Sequence, residues 1–150
     1  MRLYRTPALA DAATEQLRTT AEGTVARTIP SLETEWCYYI DTLKPLNEPE
    51  LQVLGWLLAE TFEPENYASE SFLRGAKTVL EVGPRLNFET AWSSTAVSIC
   101  HRCGLGSIRR IERSTRFSLP VSLTRAQQTA FLNLVHDRMT EMHYPRPIDS

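Results

Sequence analysis

The sequence lacks both a surplus of basic residues and a long apolar run. Its 150 residues include 16 Lys and Arg against 18 Asp and Glu, for a formal net charge of −2. This balance argues against a histone-like or ribosomal-protein-like nucleic-acid binder, whose affinity depends on excess positive charge. No segment approaches the roughly 20 consecutive apolar residues of a membrane-spanning helix, and the N-terminus lacks the apolar run of a secretory signal. We therefore expect a soluble intracellular protein.

Cysteine is also scarce. Cys37, Cys100 and Cys103 form a small, odd-numbered set, which indicates reduced thiols in the cytosol rather than a disulfide framework. Cys100 and Cys103 have the CxxC spacing of redox and zinc sites, but they lie near the predicted C-terminal end of a helix, whereas a redox pair works best at an N-terminus. A structural zinc site needs four ligands, and no second ligand pair has a suitable spacing. Packing in the core is the simpler interpretation.

Motifs of common catalytic sites are missing as well. The sequence has no Gly-x-Ser-x-Gly, no Walker-type glycine loop, no Gly-x-Gly-x-x-Gly and no His-Glu-x-x-His. Its three histidines, His101, His136 and His143, suit proton transfer near neutral pH, but none stands in a recognisable catalytic pattern. The motif search therefore gives little support for an autonomous active site.

The sequence does have the pattern of one α+β domain. Apolar residues make up 42% and charged residues 23%, as in an ordinary globular domain. Hydrophobic periodicity and β-favouring residues predict four strands and four helices. The predicted strands cover residues 2–5, 32–40, 78–82 and 108–119. The predicted helices cover about residues 8–21, 48–61, 91–103 and 125–142.

Local signals mark where these elements begin and end. Asn47 with Glu50, and Thr124 with Gln127, have the spacing of capping boxes. The other predicted boundaries are Thr6 and Pro7 before the first helix, Gly23 at its end, Gly83 and Pro84 after the third strand, Thr90 or Ser93 as the cap of the third helix, Gly104 at its end, and Tyr144 after the fourth. The third helix is expected to turn inward Ala96, Ile99, Cys100 and Cys103.

The element order is strand, helix, strand, helix, twice over. Each half is too small to cover both faces of its own two strands, so one sheet covered by helices is the simplest closed arrangement. We therefore predict a layered α+β domain with internally duplicated β-α-β-α units and pseudo-twofold symmetry, whose strand order stays open. The predicted halves cover about residues 1–62 and 77–143, with an acidic connection over 63–76 and the start of a linker over 144–150.

One long turn and one arginine-rich strand are the candidate recognition elements. The turn over residues 83–94 leads into a helix N-terminus and can direct polar groups at a ligand or partner, although a plain turn with a hydrophobic staple through Phe88 also explains it. Strand arginines suit rigid bidentate pairing, but a strand with one solvated face is the simpler explanation. The candidate partner-binding residues are Arg85, Asn87, Trp92, Ser93, Ser94, Arg109, Arg110 and Arg113.

Several blocks of sequence occur in a distinctive order. They are LEVGPRLNF at 80–88, WSS at 92–94, VSIC at 97–100, GLG at 104–106, RIE at 110–112, HDRMTE at 136–141 and PRPI at 145–148. Together they resemble the N-terminal region of the long, single-chain phosphoribosylformylglycinamidine synthase family, and the eukaryotic-type members are the closer match. The resemblance extends over nearly the whole chain and is strongest from Leu80 onward.

The resemblance implies a fold and a role. The family's N-terminal domain is similar to a dimer of the small PurS subunit of split bacterial complexes, and it is a non-catalytic scaffold that docks synthetase and glutaminase domains and supports ammonia transfer. The parent enzyme is implied to be a glutamine amidotransferase of purine biosynthesis that uses ATP and Mg²⁺. For this chain itself we expect no cofactor, no metal, no nucleic acid and no membrane, and the resemblance implies the synthetase and glutaminase domains as partners.

The chain departs from the family's full pattern because it stops before the synthetase and glutaminase motifs. We therefore expect a piece of a longer cytoplasmic protein, and we assign none of the three cysteines as a glutaminase nucleophile. The isolated piece is a candidate homodimer through an exposed sheet edge.

Two other function classes stay open. An RNA-binding sheet domain would use surface aromatic residues such as Trp36, Tyr38 and Tyr39 as stacking platforms, although the characteristic RNA-binding strand motif is absent and the net charge has the wrong sign. A small-molecule enzyme built around His101 or His136 comes third.

Overall fold

The computed structural model of the chain describes residues 1–59 and 64–148. The strands in this part are β1 (Arg2–Arg5), β2 (Glu33–Thr42), β3 (Tyr67–Ala68), β4 (Thr78–Pro84), β5 (Ile108–Leu119) and β6 (Glu141–His143). The helices are α1 (Asp11–Val25), α2 (Glu48–Leu58), α3 (Ala91–Arg102) and α4 (Arg125–Val135). None of the helices in the described ranges is long and apolar enough to cross a membrane.

The strands form one six-stranded sheet in the order β3-β1-β2-β5-β4-β6, and every neighbouring pair is antiparallel. The predicted α+β class is therefore confirmed, and the open question of strand order is answered. Each half of the chain contributes an adjacent pair, β1 with β2 and β4 with β5, and the long β2–β5 pairing joins the halves. The internal duplication with pseudo-twofold symmetry stays a prediction.

All four helices pack on the same face of the sheet. Directly paired residues of antiparallel strands point to the same side, and the register pairs Ile40 with Ile111 and Leu80 with Phe117. Ile40 and Ile111 pack with side chains of α2 and α3, whereas Leu80 and Phe117 pack with side chains of α1 and α4. The opposite face of the sheet carries no α-helix within the described residues, and we call it the helix-free face.

Signals that depend only on neighbouring residues predict the structure well. Both capping boxes form as expected, Asn47 with Glu50 at α2 and Thr124 with Gln127 at α4. Thr90, one of the two predicted caps of α3, accepts a hydrogen bond from the Ser93 N–H through its side chain. The predicted bounds of β5, residues 108–119, are those observed.

The first helix begins later and ends later than predicted. Thr6 does not cap it, because its hydroxyl donates to the Thr34 carbonyl at 2.9 Å. The N–H groups of Ala8 and Leu9 donate to the Thr34 hydroxyl, so the chain is still bonded to β2 at these positions. The helix starts at Asp11, passes through Gly23 and ends at Val25. A glycine inside a helix lowers its stability but does not end it when the flanking turns are packed in the core.

The predicted stop of the third strand at Gly83 and Pro84 is wrong. Both residues belong to β4, where they pair with Met142 and Glu141 of β6. Pro84 is tolerated because it is the last residue of the strand, where a missing N–H disrupts little of the ladder.

The fourth helix is shorter than predicted because its end is remodelled by Asp137. The helix ends at Val135, and His136 is extended. The Asp137 N–H donates to the Glu141 side chain at 2.9 Å, while the Glu141 N–H donates to the Asp137 carbonyl at 2.7 Å. This local turn competes with the helix, and it starts β6 where the periodicity predicted further helix.

The inward face of α3 and the structure of the acidic connection also differ from the prediction. Cys100 of α3 is buried as expected, but Ile99 and Cys103 are exposed rather than inward. The predicted acidic connection contains β3, which the sequence did not reveal. The predicted end of the second helix at Thr61, the first residue of the predicted connection and the last two residues of the predicted linker lie outside the described residues.

Gly83 is the glycine with the closest neighbour. A Cβ at this position would lie 2.6 Å from ring atoms of Tyr144. We expect Gly83→Ala to lower the free energy of unfolding by about 1–3 kcal/mol, as overpacking of a core does. Gly23→Ala is the matched control, because a Cβ there meets nothing within 4 Å and the helix should gain roughly 0.5–1 kcal/mol. Urea unfolding of both variants checks this, and equal effects of the same sign would contradict it.

Candidate docking surface

The turn between β4 and α3 is fixed by hydrogen bonds at two points. Arg85 lies on the surface, but its Nε and Nη2 donate to the Arg138 carbonyl at 2.9 and 2.6 Å, and its backbone N–H donates to the Thr140 carbonyl at 2.9 Å. On β5, Arg110 Nη2 donates to the Phe88 carbonyl at 2.6 Å. The turn is therefore bonded both to the segment that precedes β6 and to β5.

Glu112 anchors the end of the turn. Its buried carboxylate accepts the Thr90 hydroxyl at 2.7 Å and the Thr90 N–H at 3.3 Å, and it accepts Arg110 Nη2 at 2.9 Å. The Thr90 hydroxyl in turn accepts the Ser93 N–H at 3.0 Å and caps α3. Charge-assisted bonds of this kind offset the cost of burying the carboxylate. The cap of α3 and the end of the turn are thus held by one side chain.

The tip of this rigid turn exposes large apolar side chains. Leu86 and Phe88 are 48% and 38% exposed, and Asn87 between them is exposed. Met139, on the segment that Arg85 binds, is 85% exposed. We call Leu86, Phe88 and Met139 the turn patch. Apolar side chains on a surface backbone that is already ordered suit a protein contact, since little conformational entropy remains to be lost on binding.

The three candidate residues at the start of α3 have different surroundings. Ser94 is exposed, and its hydroxyl donates to Glu89 at 3.3 Å. Ser93 is fully buried, and its hydroxyl has no partner among the described residues. Trp92 is half-buried and stacks on Tyr38, with ring centroids 6.1 Å apart. Of the three residues, only Ser94 is exposed.

Arg113 is used inside the domain. Its guanidinium carbon lies 4.2 Å from the ring centroid of Trp36 and 4.5 Å from that of Trp92, so the cation is placed against two indoles. Cation–π contacts of this kind contribute most where water is partly excluded. Arg113 shares the helix-covered face with Tyr38, to which it is directly paired across β2 and β5.

The arginines of β5 do not form a single row. Arg110 and Arg116 lie on the helix-free face, whereas Arg113 lies on the helix-covered face. Arg109, at the irregular start of β5, pairs with Asp41 at 2.8 Å and is 55% exposed. The structure therefore brings Arg85, Asn87 and Arg110 together at the turn and separates them from Arg113. Partner binding by the eight candidate residues stays a prediction.

The helix-free face carries a buried ionic ladder that was not expected from the sequence. Arg116 stands directly between Glu35 and Glu81 across three strands, and both carboxylates are buried. Arg116 Nη1 donates to Glu35 at 2.7 Å, and its Nε lies 3.3 Å from Glu81 without an aligned hydrogen bond. The single Arg116 guanidinium thus offsets part of the negative charge of two carboxylates, one on each neighbouring strand.

Neutral donors complete the solvation of these two carboxylates. Glu35 accepts the Ser71 hydroxyl at 2.5 Å and the Phe72 N–H at 2.9 Å, and Glu81 accepts the Ser114 hydroxyl at 2.6 Å and the Tyr39 hydroxyl. Burial, followed by the bond to Glu81, raises the pKa of Tyr39 well above its usual value. Tyr39 is therefore a stable donor and not an acid near neutral pH.

The remaining reactive side chains are mostly occupied or buried. Burial raises the pKa of the Cys37 and Cys100 thiols to about 11. His101 Nε2 lies 2.7 Å from Ile108 O, and His136 Nδ1 contacts Leu132 O. Over residues 1–59 and 64–148, no cluster of three or more His, Cys, Asp or Glu side chains is arranged to hold a metal ion.

Sequence reasoning found the turn but missed its apolar tip and the ionic ladder. In the sequence, Leu86, Phe88 and Met139 resemble ordinary core residues. Their exposure is seen only in the structure, where Arg85 joins the turn to the segment that carries Met139. A signal for the ladder was present, because Glu35 and Glu81 interrupt predicted β-strands. Nothing local pairs them with Arg116, which is 81 and 35 positions away.

The ladder makes different predictions for two arginines of the same strand. Arg116→Ala leaves two buried carboxylates without their cation, and we expect it to lower the free energy of unfolding by about 3–5 kcal/mol. Arg109→Ala removes an exposed ion pair and should cost less than about 1 kcal/mol. Urea unfolding of the two variants measures the difference. Similar losses for both would show that the ladder does not stabilise the sheet.

Comparison with known proteins agrees with the resemblance seen in the sequence. The family model described as formylglycinamide ribonucleotide amidotransferase N-terminal matches residues 35–149. A phosphoribosylformylglycinamidine synthase of Dictyostelium discoideum is 45% identical over 98% of this chain. A probable phosphoribosylformylglycinamidine synthase, chloroplastic/mitochondrial, of Arabidopsis thaliana is 41% identical over 98% of the chain, and the Homo sapiens phosphoribosylformylglycinamidine synthase is 38% identical over 81%.

The match covers only a small part of each relative. The aligned region is 12% of the Dictyostelium protein, 11% of the Arabidopsis protein and 10% of the human protein, so the chain spans about a tenth of the length of these relatives. The family match extends over most of the chain and includes the turn, β5 and the whole of α3 and α4. The chain therefore belongs to the family of N-terminal domains of formylglycinamide ribonucleotide amidotransferase.

Proposed function

We propose that this chain is a non-catalytic interaction domain of a phosphoribosylformylglycinamidine synthase, an enzyme of purine biosynthesis. The synthetase and glutaminase domains of the same polypeptide are its partners, and it holds them in the arrangement in which ammonia released from glutamine reaches the synthetase site. ATP and Mg²⁺ act in the synthetase part, where the nucleotide is converted to its amidine. The names and lengths of the relatives support this assignment, because each matches the chain with about a tenth of its own sequence.

The observation that carries the docking role is the rigid turn with its exposed apolar tip. The turn is bonded at Arg85 to the segment that precedes β6, and at Phe88 and Thr90 to β5. Leu86 and Phe88 nevertheless point to the surface, where an isolated domain gains nothing from them. A preorganised surface loop with apolar side chains and neighbouring guanidinium groups fits a protein partner with an apolar pocket and carboxylates at its rim.

The chemistry of the side chains supports a domain without catalysis of its own. Cys37 and Cys100 are buried thiols with raised pKa values, and the ring nitrogens of His101 and His136 contact backbone carbonyls. Cys103 is exposed at the C-terminal end of α3. We also place the protein in the cytoplasm, which fractionation of cells would test.

No structural observation favours the RNA-binding alternative. Tyr38 is buried on the helix-covered face, Trp36 is stacked by Arg113, and Tyr39 is bonded to Glu81. The three aromatic residues that would stack bases are thus already in contact with the protein. The net charge of −2 also opposes binding to a polyanion. Salt-dependent binding of single-stranded RNA would revive this alternative.

The isolated chain should turn over neither glutamine nor ATP. The purified chain is incubated with glutamine, ATP, Mg²⁺ and formylglycinamide ribonucleotide, and the release of ammonia and ADP is measured. We expect rates equal to those of buffer, because Cys37 and Cys100 are buried and the rings of His101 and His136 contact backbone carbonyls. Turnover that a substitution such as Cys103→Ser abolishes would contradict a non-catalytic role.

The turn should control coupling in the full-length polypeptide that carries this domain. Arg85→Ala and Leu86→Asp change exposed side chains, so the fold should persist while the contact with the partner weakens. We expect the amount of glutamine consumed per amidine formed to rise several-fold, with free ammonia as the excess product. The experiment measures glutamate and amidine in parallel.

Gln16→Ala is the control for this experiment, because Gln16 is exposed and lies on α1 rather than in the turn. It should leave the ratio unchanged. Trp92→Ala is a poor probe of docking, since the Trp92 ring packs against Tyr38 and Arg113 inside the domain. Unchanged coupling in both turn variants would overturn the proposed role of the turn.

A further inference from the structure

We propose that the outer face of α2, formed by Pro49, Gln52, Val53 and Trp56, is a second docking surface that another domain of the same polypeptide covers. We call it the α2 face. The inference rests on the proposed function, since it assumes that this domain bridges two neighbours. A bridging domain needs two separate contact surfaces, and the turn patch supplies only one of them.

The composition of α2 is that of a covered helix. From Leu51 to Leu58 the helix has no charged residue, and its inner side chains Leu54 and Leu58 are buried in the core. A helix at the surface of a globular protein normally carries charged and polar residues on its outer face. On α2 that face instead exposes Val53 at 36% and Trp56 at 61%. Tryptophan is among the residues most enriched at the centres of protein interfaces.

The α2 face and the turn patch are carried by elements that pack against different strands of the sheet. A Cβ at Gly55 would lie 3.3 Å from the Tyr67 ring, so α2 packs closely against β3, one outermost strand. The turn is bonded through Arg85 to the segment before β6, the other outermost strand. The turn is also bonded to β5, which lies three strand spacings from β3, or about 14 Å at about 4.8 Å per spacing. The two surfaces are therefore carried by different elements of the domain.

Charge identifies the occupant of the α2 face. Residues 45–73 include six glutamates and no Lys, Arg or Asp. A nucleic acid or an anionic membrane would be repelled, and a second copy bound through the same face would bring two acidic segments together. The relatives have about nine-tenths of their sequence outside the matched region. We therefore assign the surface to that remaining polypeptide, at an apolar pocket with basic side chains at its rim.

Photo-crosslinking in the full-length polypeptide tests the occupant directly. Trp56 is replaced by the photoreactive residue p-benzoylphenylalanine, and the crosslinked peptides are identified by mass spectrometry. We expect the main crosslink to join position 56 to a residue beyond position 150 of the same polypeptide. The same probe at Gln16, an exposed residue of α1, is the control. It should give at most a small fraction of that crosslinking yield. Crosslinks only between copies, or a yield no higher than the control, would overturn the proposal.

A pair of serine variants separates this inference from the proposed function. In the full-length polypeptide, Trp56→Ser should raise the glutamine consumed per amidine several-fold, whereas Ile99→Ser, which removes another exposed apolar side chain, should not. The melting temperature of each isolated variant shows that the domain still folds. If the turn variants uncouple the reaction and Trp56→Ser does not, the α2 face is not a docking surface and the proposed function stands. If none of these variants uncouples it, both proposals fail.

Discussion

The pairing of Arg116 with Glu35 and Glu81 is the interaction on which the arrangement of the central sheet depends. The three residues belong to β5, β2 and β4, and they stand directly opposite each other. A shift of one residue in either strand pair would turn a buried carboxylate towards the helices and leave it without its cation. The same carboxylates bind Ser71 and Tyr39, so the ladder also holds the segment after β3 over the sheet. A polar interaction thus specifies the register that apolar packing alone would leave less defined.

This ladder gives the two faces of the sheet different tasks. The helix-covered face holds the apolar core, and Arg113 is placed there between Trp36 and Trp92. The helix-free face uses its charged side chains to satisfy one another, so few of them are available to a partner. Because strand side chains alternate, an arginine-rich strand is divided between these two environments. The surfaces that we propose for contact, the turn after β4 and the outer face of α2, lie outside the sheet itself.

How far the sequence predicts the structure depends on how far apart the interacting residues are. Asn47 and Glu50 are three positions apart, and their capping box was predictable, as was the one formed by Thr124 and Gln127. The end of the fourth helix was not predictable from neighbouring residues. The chain leaves the helix to form β6, and β6 depends on pairing with Gly83 and Pro84 of β4. In the candidate site, the polar and glycine-proline composition marked the turn correctly as unusual. The exposure of Leu86 and the burial of Ser93 follow from tertiary contacts, which local patterns do not contain.

The edges of the sheet are poorly suited to pairing of strands between copies. The outermost strands, β3 and β6, have two and three residues, and Pro145 and Pro147 follow β6 closely. Short edge strands and prolines offer few unpaired N–H groups in a row, which disfavours addition of another strand. A domain protected in this way can keep apolar groups on a rigid turn and on α2 without assembling through its edges. Both the turn and α2 pack against the sheet in which Arg116 pairs with Glu35 and Glu81.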